Sequence, residues 1–143
     1  MFDALSISAS GLSAQRLRMD IIADNIANAS TTRPADQTPF YRRYPVFSAQ
    51  TAPSFSSLLG QSLNAPSFGV TVTGIMEDRT TPGEMVYDPG HPHANSSGYV
   101  LMPNVNVTNE MVDMISASRA YEANVTAMNA TKAMISKSLE IGR

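Results

Sequence analysis

All nine prolines of this 143-residue chain lie between Pro34 and Pro103, and both ends are free of them. Proline has no backbone N–H and its ring clashes with the preceding turn, so it is excluded from helix interiors. The partition therefore permits one long helix at each end and confines irregular and β structure to the middle. Six of the eight glycines fall in the same middle stretch, which strengthens the division.

In the N-terminal arm, Phe2 to about Asn28, Leu5, Leu12, Met19 and Ile26 recur every seven residues. Ala9 and Ala23 fill intermediate positions, Arg16 interrupts the stripe and Ile22 widens it. The period predicts an amphipathic helix with a coiled-coil-like seam, roughly 40 Å long at about 1.5 Å per residue. Gly11 weakens it by about 1 kcal/mol relative to Ala, and Ser6, Ser8, Ser10 and Ser13 are poor helix formers, so this arm calls for packing partners.

The C-terminal arm is more regular. Steps of three and four from Met111 reach Met114, Ser118, Tyr121, Val125, Met128, Lys132, Ile135 and Leu139, and seven of these nine positions are apolar, a sustained heptad seam. Thr108 is the expected N-cap and Gly142 the expected stop, with Glu110 and Asp113 near the positive end of the helix dipole. Alanines at 117, 120, 123, 127, 130 and 133 line another face and let neighbouring helices approach closely.

Between the arms, residues 31–68 read as an extended linker and loop region, with a strand at Phe40–Phe47 and a mobile stretch from Ser48 to Pro66. Residues 69–106 read as a small β-rich module. Gly69–Ile75 is its best strand, Met85–Tyr87 and Tyr99–Met102 are shorter ones, and Pro82-Gly83 and Pro89-Gly90 mark turns. The fold expected is mainly α. Residues 1–30 and 107–143 would pair as a coiled-coil-like hairpin, forming one discontinuous helical domain with the β and loop residues inserted between them.

Composition narrows the function. The net charge of −2 lacks the clustered cations that nucleic-acid binding requires. The absence of cysteine excludes disulfides, thiolate chemistry and Cys-ligated zinc. No apolar run approaches the roughly 20 residues of a membrane span, and no cleavable signal peptide is visible. The helices mix charges of both signs, so direct lipid binding is not expected. Two paired helices leave apolar stripes uncovered, and these must meet protein. Where a helix face meets a different surface on the next copy, the contact propagates into rings or filaments.

One segment, Ser8-Ala9-Ser10-Gly11-Leu12 through Asp24-Asn25-Ile26-Ala27-Asn28-Ala29-Ser30-Thr31, resembles the N-terminal motif of flagellar rod and hook proteins. The run Tyr99-Val100-Leu101-Met102-Pro103-Asn104-Val105-Asn106 leads into Glu110-Met111-Val112-Asp113-Met114-Ile115. Ser118-Arg119-Ala120-Tyr121-Glu122-Ala123-Asn124 follows. These segments, with Asp88-Pro89-Gly90-His91-Pro92-His93-Ala94, are similar to the proximal-rod members of the flagellar basal-body rod family. The match is weak over residues 49–66. Asp24 stands where the family commonly has Asn. Thr31-Thr32-Arg33-Pro34 replaces a Thr-Pro-Gly-Tyr turn, a departure that suits the proximal-rod subgroup.

The resemblance implies a structural, non-enzymatic subunit of the periplasm-spanning drive shaft that carries torque to hook and filament. Implied partners are copies of itself, other rod proteins, the adapter joining rod to membrane ring, and the flagellar type III export apparatus, through which it leaves the cytoplasm without a cleaved signal. The expected assembly interface comprises Leu5, Leu12, Met19, Ile22 and Ile26, with Asn25 and Asn28 of the motif. On the second arm it comprises Met111, Met114, Tyr121, Val125, Met128, Ile135 and Leu139. Arg42, Arg43, Arg119 and Glu122 are candidates for polar contacts between subunits.

Two other readings stand beside this one. A coiled-coil adapter that binds a single helical partner would show the same seams. His91 and His93 beside Asp88 carry metal-ligand chemistry, but with two prolines in that turn ordinary loop packing is favoured, and no metal or cofactor is expected. There is no phosphate loop, nucleophile elbow or carboxylate pair near a base, so no enzyme is suggested.

Overall fold

The computed structural model describes residues 2–34, 37–51 and 67–141. Most of the stretch read as mobile, and the stop at Gly142, lie outside the described residues. Helix α1 spans Phe2–Ala27 and helix α2 spans Val107–Ile141. Between them lie β1 (Arg43–Thr51), β2 (Ser67–Glu77), β3 (Met85–Tyr87) and β4 (Tyr99–Leu101). The chain is mainly α with small antiparallel sheets, and none of its described helices is long and apolar enough to cross a membrane.

Local chemistry sets the helix limits. Three serines of α1 are accommodated by donating back to the helix: Ser6 to the Asp3 carbonyl, Ser10 to that of Ile7 and Ser13 to that of Ala9. At its end, the Asn28 amide donates to the Asp24 carbonyl at 2.9 Å and to the Asp24 carboxylate at 3.0 Å. Helix α2 starts two residues earlier than expected. Asn106 is its N-cap: its Oδ1 accepts the Asn109 N–H at 3.2 Å and its carbonyl accepts that of Glu110 at 3.0 Å. Thr108 is therefore the second residue of the helix. Both residues are good caps, but only Asn106 stands where its side chain reaches an orphan N–H three residues on.

The two helices run past each other in opposite directions. Gly11 faces Asn124, and Asn25 bonds Glu110. The Asn124 Oδ1 lies 3.1 Å from where a Gly11 Cβ would stand. The residue that weakens α1 on its own is thus the one that permits the close approach. The stripe α1 turns inward carries Gly11, Ala14, Arg18, Ile21 and Asn25; that of α2 carries Glu110, Asp113, Ala117 and Asn124. Apart from Ile21 these are small or polar, and Gly11, Arg18, Asn25 and the four α2 positions sit one residue, about 100°, from the apolar heptads read in the sequence.

Strands β1 and β2 form one two-stranded antiparallel sheet, Arg43 opposite Glu77 and Ala49 opposite Val70, with register shifts at Val46/Phe47 and Ala49/Thr51. Its ladder crosses the boundary drawn at residue 68. Pro45 is tolerated because β1 has only one neighbour. Strands β3 and β4 form a second, separate sheet with Met85 opposite Leu101 and Tyr87 opposite Tyr99. The first sheet docks on α1 through Gly69, whose φ is +128°. A Cβ there would collide with Ser10 Oγ, the same oxygen that accepts the Val70 N–H at 3.1 Å. Beyond β2, Asp78 closes the chain: its carboxylate accepts the backbone N–H and hydroxyl groups of Thr80 and Thr81 at 2.7–3.2 Å.

Two outcomes follow from this geometry. Gly69→Ala lowers the unfolding free energy by about 2 kcal/mol, through a left-handed backbone and the clash with Ser10. Gly74→Ala, with nothing within 4 Å of its Cβ, changes it by less than about 0.5 kcal/mol; urea titration of the two variants checks both. The Thr80 and Thr81 hydrogen bonds hold the Asp78 carboxyl far below the usual carboxylate range. A group depressed in the folded state contributes its stability at neutral pH and loses it only as pH falls through the folded value. Carbon-detected NMR therefore finds Asp78 titrating below a free aspartate, and Thr81→Val moves it back toward the ordinary range.

Candidate assembly site

The junction of α1, β1 and α2 is polar. Asn25 and Glu110 are each 1% exposed. The Asn25 amide donates to the Arg43 carbonyl at 2.8 Å and to Glu110 Oε2 at 3.0 Å, while its Oδ1 accepts the Arg43 N–H at 3.0 Å. One side chain thus caps the outward edge of β1 and holds the first turn of α2. Arg42 supplies the charge: its Nε donates to Glu110 Oε1 at 2.5 Å and its Nη2 to Asp113 Oδ2 at 3.2 Å. Arg18 meets the other Asp113 oxygen at 3.0 Å. The Arg42 N–H donates to Asn104, whose amide in turn donates to the Asp78 and Thr81 carbonyls. A buried carboxylate is tolerated only when paired and hydrogen-bonded, and Glu110 has both.

Arg43 turns to the surface. It reaches Asp24 at 3.3 Å and Glu77 at 3.6 Å, and its guanidinium lies 5.3 Å from the Phe40 ring centre. Arg79 pairs with Glu77 at 2.9 Å, and this hydrogen bond, foremost among several causes, holds the Glu77 carboxyl below its ordinary value. Of the four residues proposed for contacts between subunits, Arg42 and Arg43 thus have partners inside the chain. Arg119 and Glu122 are exposed, with no ion pair among the described residues. His93 Nδ1 lies 2.9 Å from Thr32 Oγ1, and His91 Nδ1 accepts the His93 N–H at 3.0 Å. The described residues contain no group of three metal-ligating side chains.

The apolar seam residues fall into three classes. Ile22 is buried inside the chain. Leu5, Leu12, Met19, Ile26, Met114, Tyr121, Val125, Met128 and Ile135 are half-buried along the flanks of the helix pair. Met111, at 56% exposure, and Leu139, at 72%, face outward. Met111 is joined by Val112 and Ile115, both also exposed, which the heptad count passed over. Asn25 lies inside the junction, and Asn28 closes α1. The sequence reading missed Arg18, Asn104, Glu110 and Asp113 as a unit, because their partners lie up to 95 residues apart.

Asn25→Leu leaves the Arg43 backbone and the Glu110 carboxylate short of partners and costs about 3 kcal/mol of stability. Asn28→Ala, which loses bonds only to Asp24, costs about 1 kcal/mol or less. Urea midpoints of the two variants test the contrast.

Comparison with known proteins places this geometry. Residues 5–34 match the family model described as "Flagella basal body rod protein", and residues 96–141 match "Flagellar basal body rod FlgEFG protein C-terminal". The chain is 48% identical to the flagellar basal-body rod protein FlgC of Bacillus subtilis (strain 168), over 99% of this chain and 98% of that one. It is 42% identical to FlgC of Borreliella burgdorferi, over 99% and 97%, and 38% identical to FlgC of Escherichia coli O157:H7, over 100% and 98%. The chain therefore belongs to the FlgC family of flagellar basal-body rod proteins, structural subunits of the flagellar basal body.

Proposed function

We propose that this chain is a proximal-rod subunit which polymerises with copies of itself and other rod proteins into the shaft that carries torque across the periplasm. The observation that carries the reading is the division of labour between helix faces. The intrachain stripe is mostly small and polar, with Ile21 and Ile22 as its large apolar members, while Met111, Val112, Ile115 and Leu139 stay exposed, and exposed apolar patches mark protein contacts. Neighbouring subunits cover these faces, together with the half-buried flanks at Leu5, Leu12, Met19, Ile26, Tyr121, Val125, Met128 and Ile135, in coiled-coil-like packing. Arg119 and Glu122 supply polar contacts at the rim. Torque passes because close packing resists displacement: small shifts lose many dispersion contacts at once. Export through the flagellar type III apparatus without a cleaved signal, and contact with the rod-to-ring adapter, complete the proposal.

Met111→Asp tests it. Met111 lies on the exposed side of α2, so the purified variant melts within about 2 °C of the parent chain. Cells carrying it as their sole copy do not swim, and their basal bodies lack the rod. Normal swimming would contradict the assignment of this face to assembly.

A further inference from the structure

The helix pair is staggered. Gly11 faces Asn124 and Asn25 meets Glu110, so residue numbers across the pair sum to 135, and Phe2 stands level with residue 133. From Met134 onward α2 runs past the start of α1. On this overhang Leu139, at 72%, is the most exposed large apolar side chain described, and Glu140 follows it. An exposed apolar knob beside a carboxylate thus projects from one end of the subunit.

A complementary groove lies at the other end. Met85, Tyr99 and Leu101 share one face of the β3–β4 sheet, because Met85 pairs with Leu101 while Tyr99 lies two residues before it. The opposite face carries Val100, which is buried. Pro34 and Pro39 wall the groove, Arg33 stands on its rim, and its volume is about 200 Å³. That exceeds the roughly 150 Å³ cavity that accepts a benzene ring, so one leucine side chain fits. Among the described residues no carboxylate pairs with Arg33. Among the described residues Glu140 is held only by exposed Lys137, at 2.7 Å.

We infer that Leu139 of one copy seats in the Met85–Tyr99–Leu101 groove of the next, with Glu140 meeting Arg33. The inference rests on the rod reading and names the partner of one of its faces. Val107 and Leu139 are about 48 Å apart along α2 at 1.5 Å per residue, and the groove lies at the Val107 end, so one chain cannot fill its own groove. Knob and groove are different surfaces, which makes the contact heterologous, and heterologous contacts propagate. The other exposed apolar residues suit the groove less well. Met111, Val112 and Ile115 form a broad patch, and Met134 lies between Lys132 and Lys137, whose charge repels Arg33.

The chain has no cysteine, so any disulfide comes from introduced residues. Isolated basal bodies carrying Leu139→Cys with Met85→Cys give an intermolecular disulfide under mild oxidation; neither single variant does, nor does Leu139→Cys with Ile75→Cys on the far sheet. Absence of the Met85 cross-link, or equal cross-linking to position 75, overturns the seat. In swimming assays Arg33→Glu and Glu140→Arg each shrink the halo, and the double variant recovers it. A double variant no better than the worse single contradicts the pairing. If that result coincides with loss of swimming in Met111→Asp, the seat fails while the rod reading stands.

Discussion

The carboxylate of Glu110 is buried, and the rest of the structure is arranged so that it can be. Removing that charge from water is unfavourable unless its lone pairs are met. Arg42 from the approach to β1 and Asn25 from α1 meet them. The same two side chains reach Asp113 and the Arg43 backbone, and the Arg42 backbone N–H donates to Asn104. Three segments distant in the chain thus share one hydrogen-bonded junction, and none of them can shift alone without stranding a buried polar group.

A polar junction also decides what the helices have left to offer. Because Gly11, Ala14, Asn25, Ala117 and Asn124 serve the contact within the chain, little large apolar surface is consumed there. Six apolar side chains are buried among the described residues, whereas seventeen large ones are exposed. A monomer that hides so little keeps its hydrophobic driving force for its neighbours. Polar pairing inside the chain is directional and fixes how α1 lies on α2, and non-directional apolar burial outside then drives association.

Much of this was legible in the sequence. Proline placement alone separates the helices from the middle, and β3 falls on Met85–Tyr87, one of the short strands expected. The heptads marked the apolar residues of both helices, but periodicity does not say whether an apolar stripe faces its own chain or another. The stripe that faces inward is mostly small or polar, Ile21 and Ile22 aside, and carries only a weak hydrophobic signature. Thr108 and Asn106 are equally good caps by composition; only the position of the Asn109 N–H separates them. The β1–β2 ladder pairs residues from 16 (Thr51 with Ser67) to 34 (Arg43 with Glu77) positions apart, and the roles of Arg42 and Glu110 depend on a pairing 68 positions apart. Local pattern carries no information about such distances.

The most direct test of the account is a high-resolution image of the rod with this subunit in place. The account predicts that the Asn25–Glu110–Arg42 junction persists in every copy, while Met111, Val112 and Ile115 are buried against neighbouring subunits. A rod in which α1 and α2 have parted at that junction, or in which those three side chains still face solvent, would contradict it.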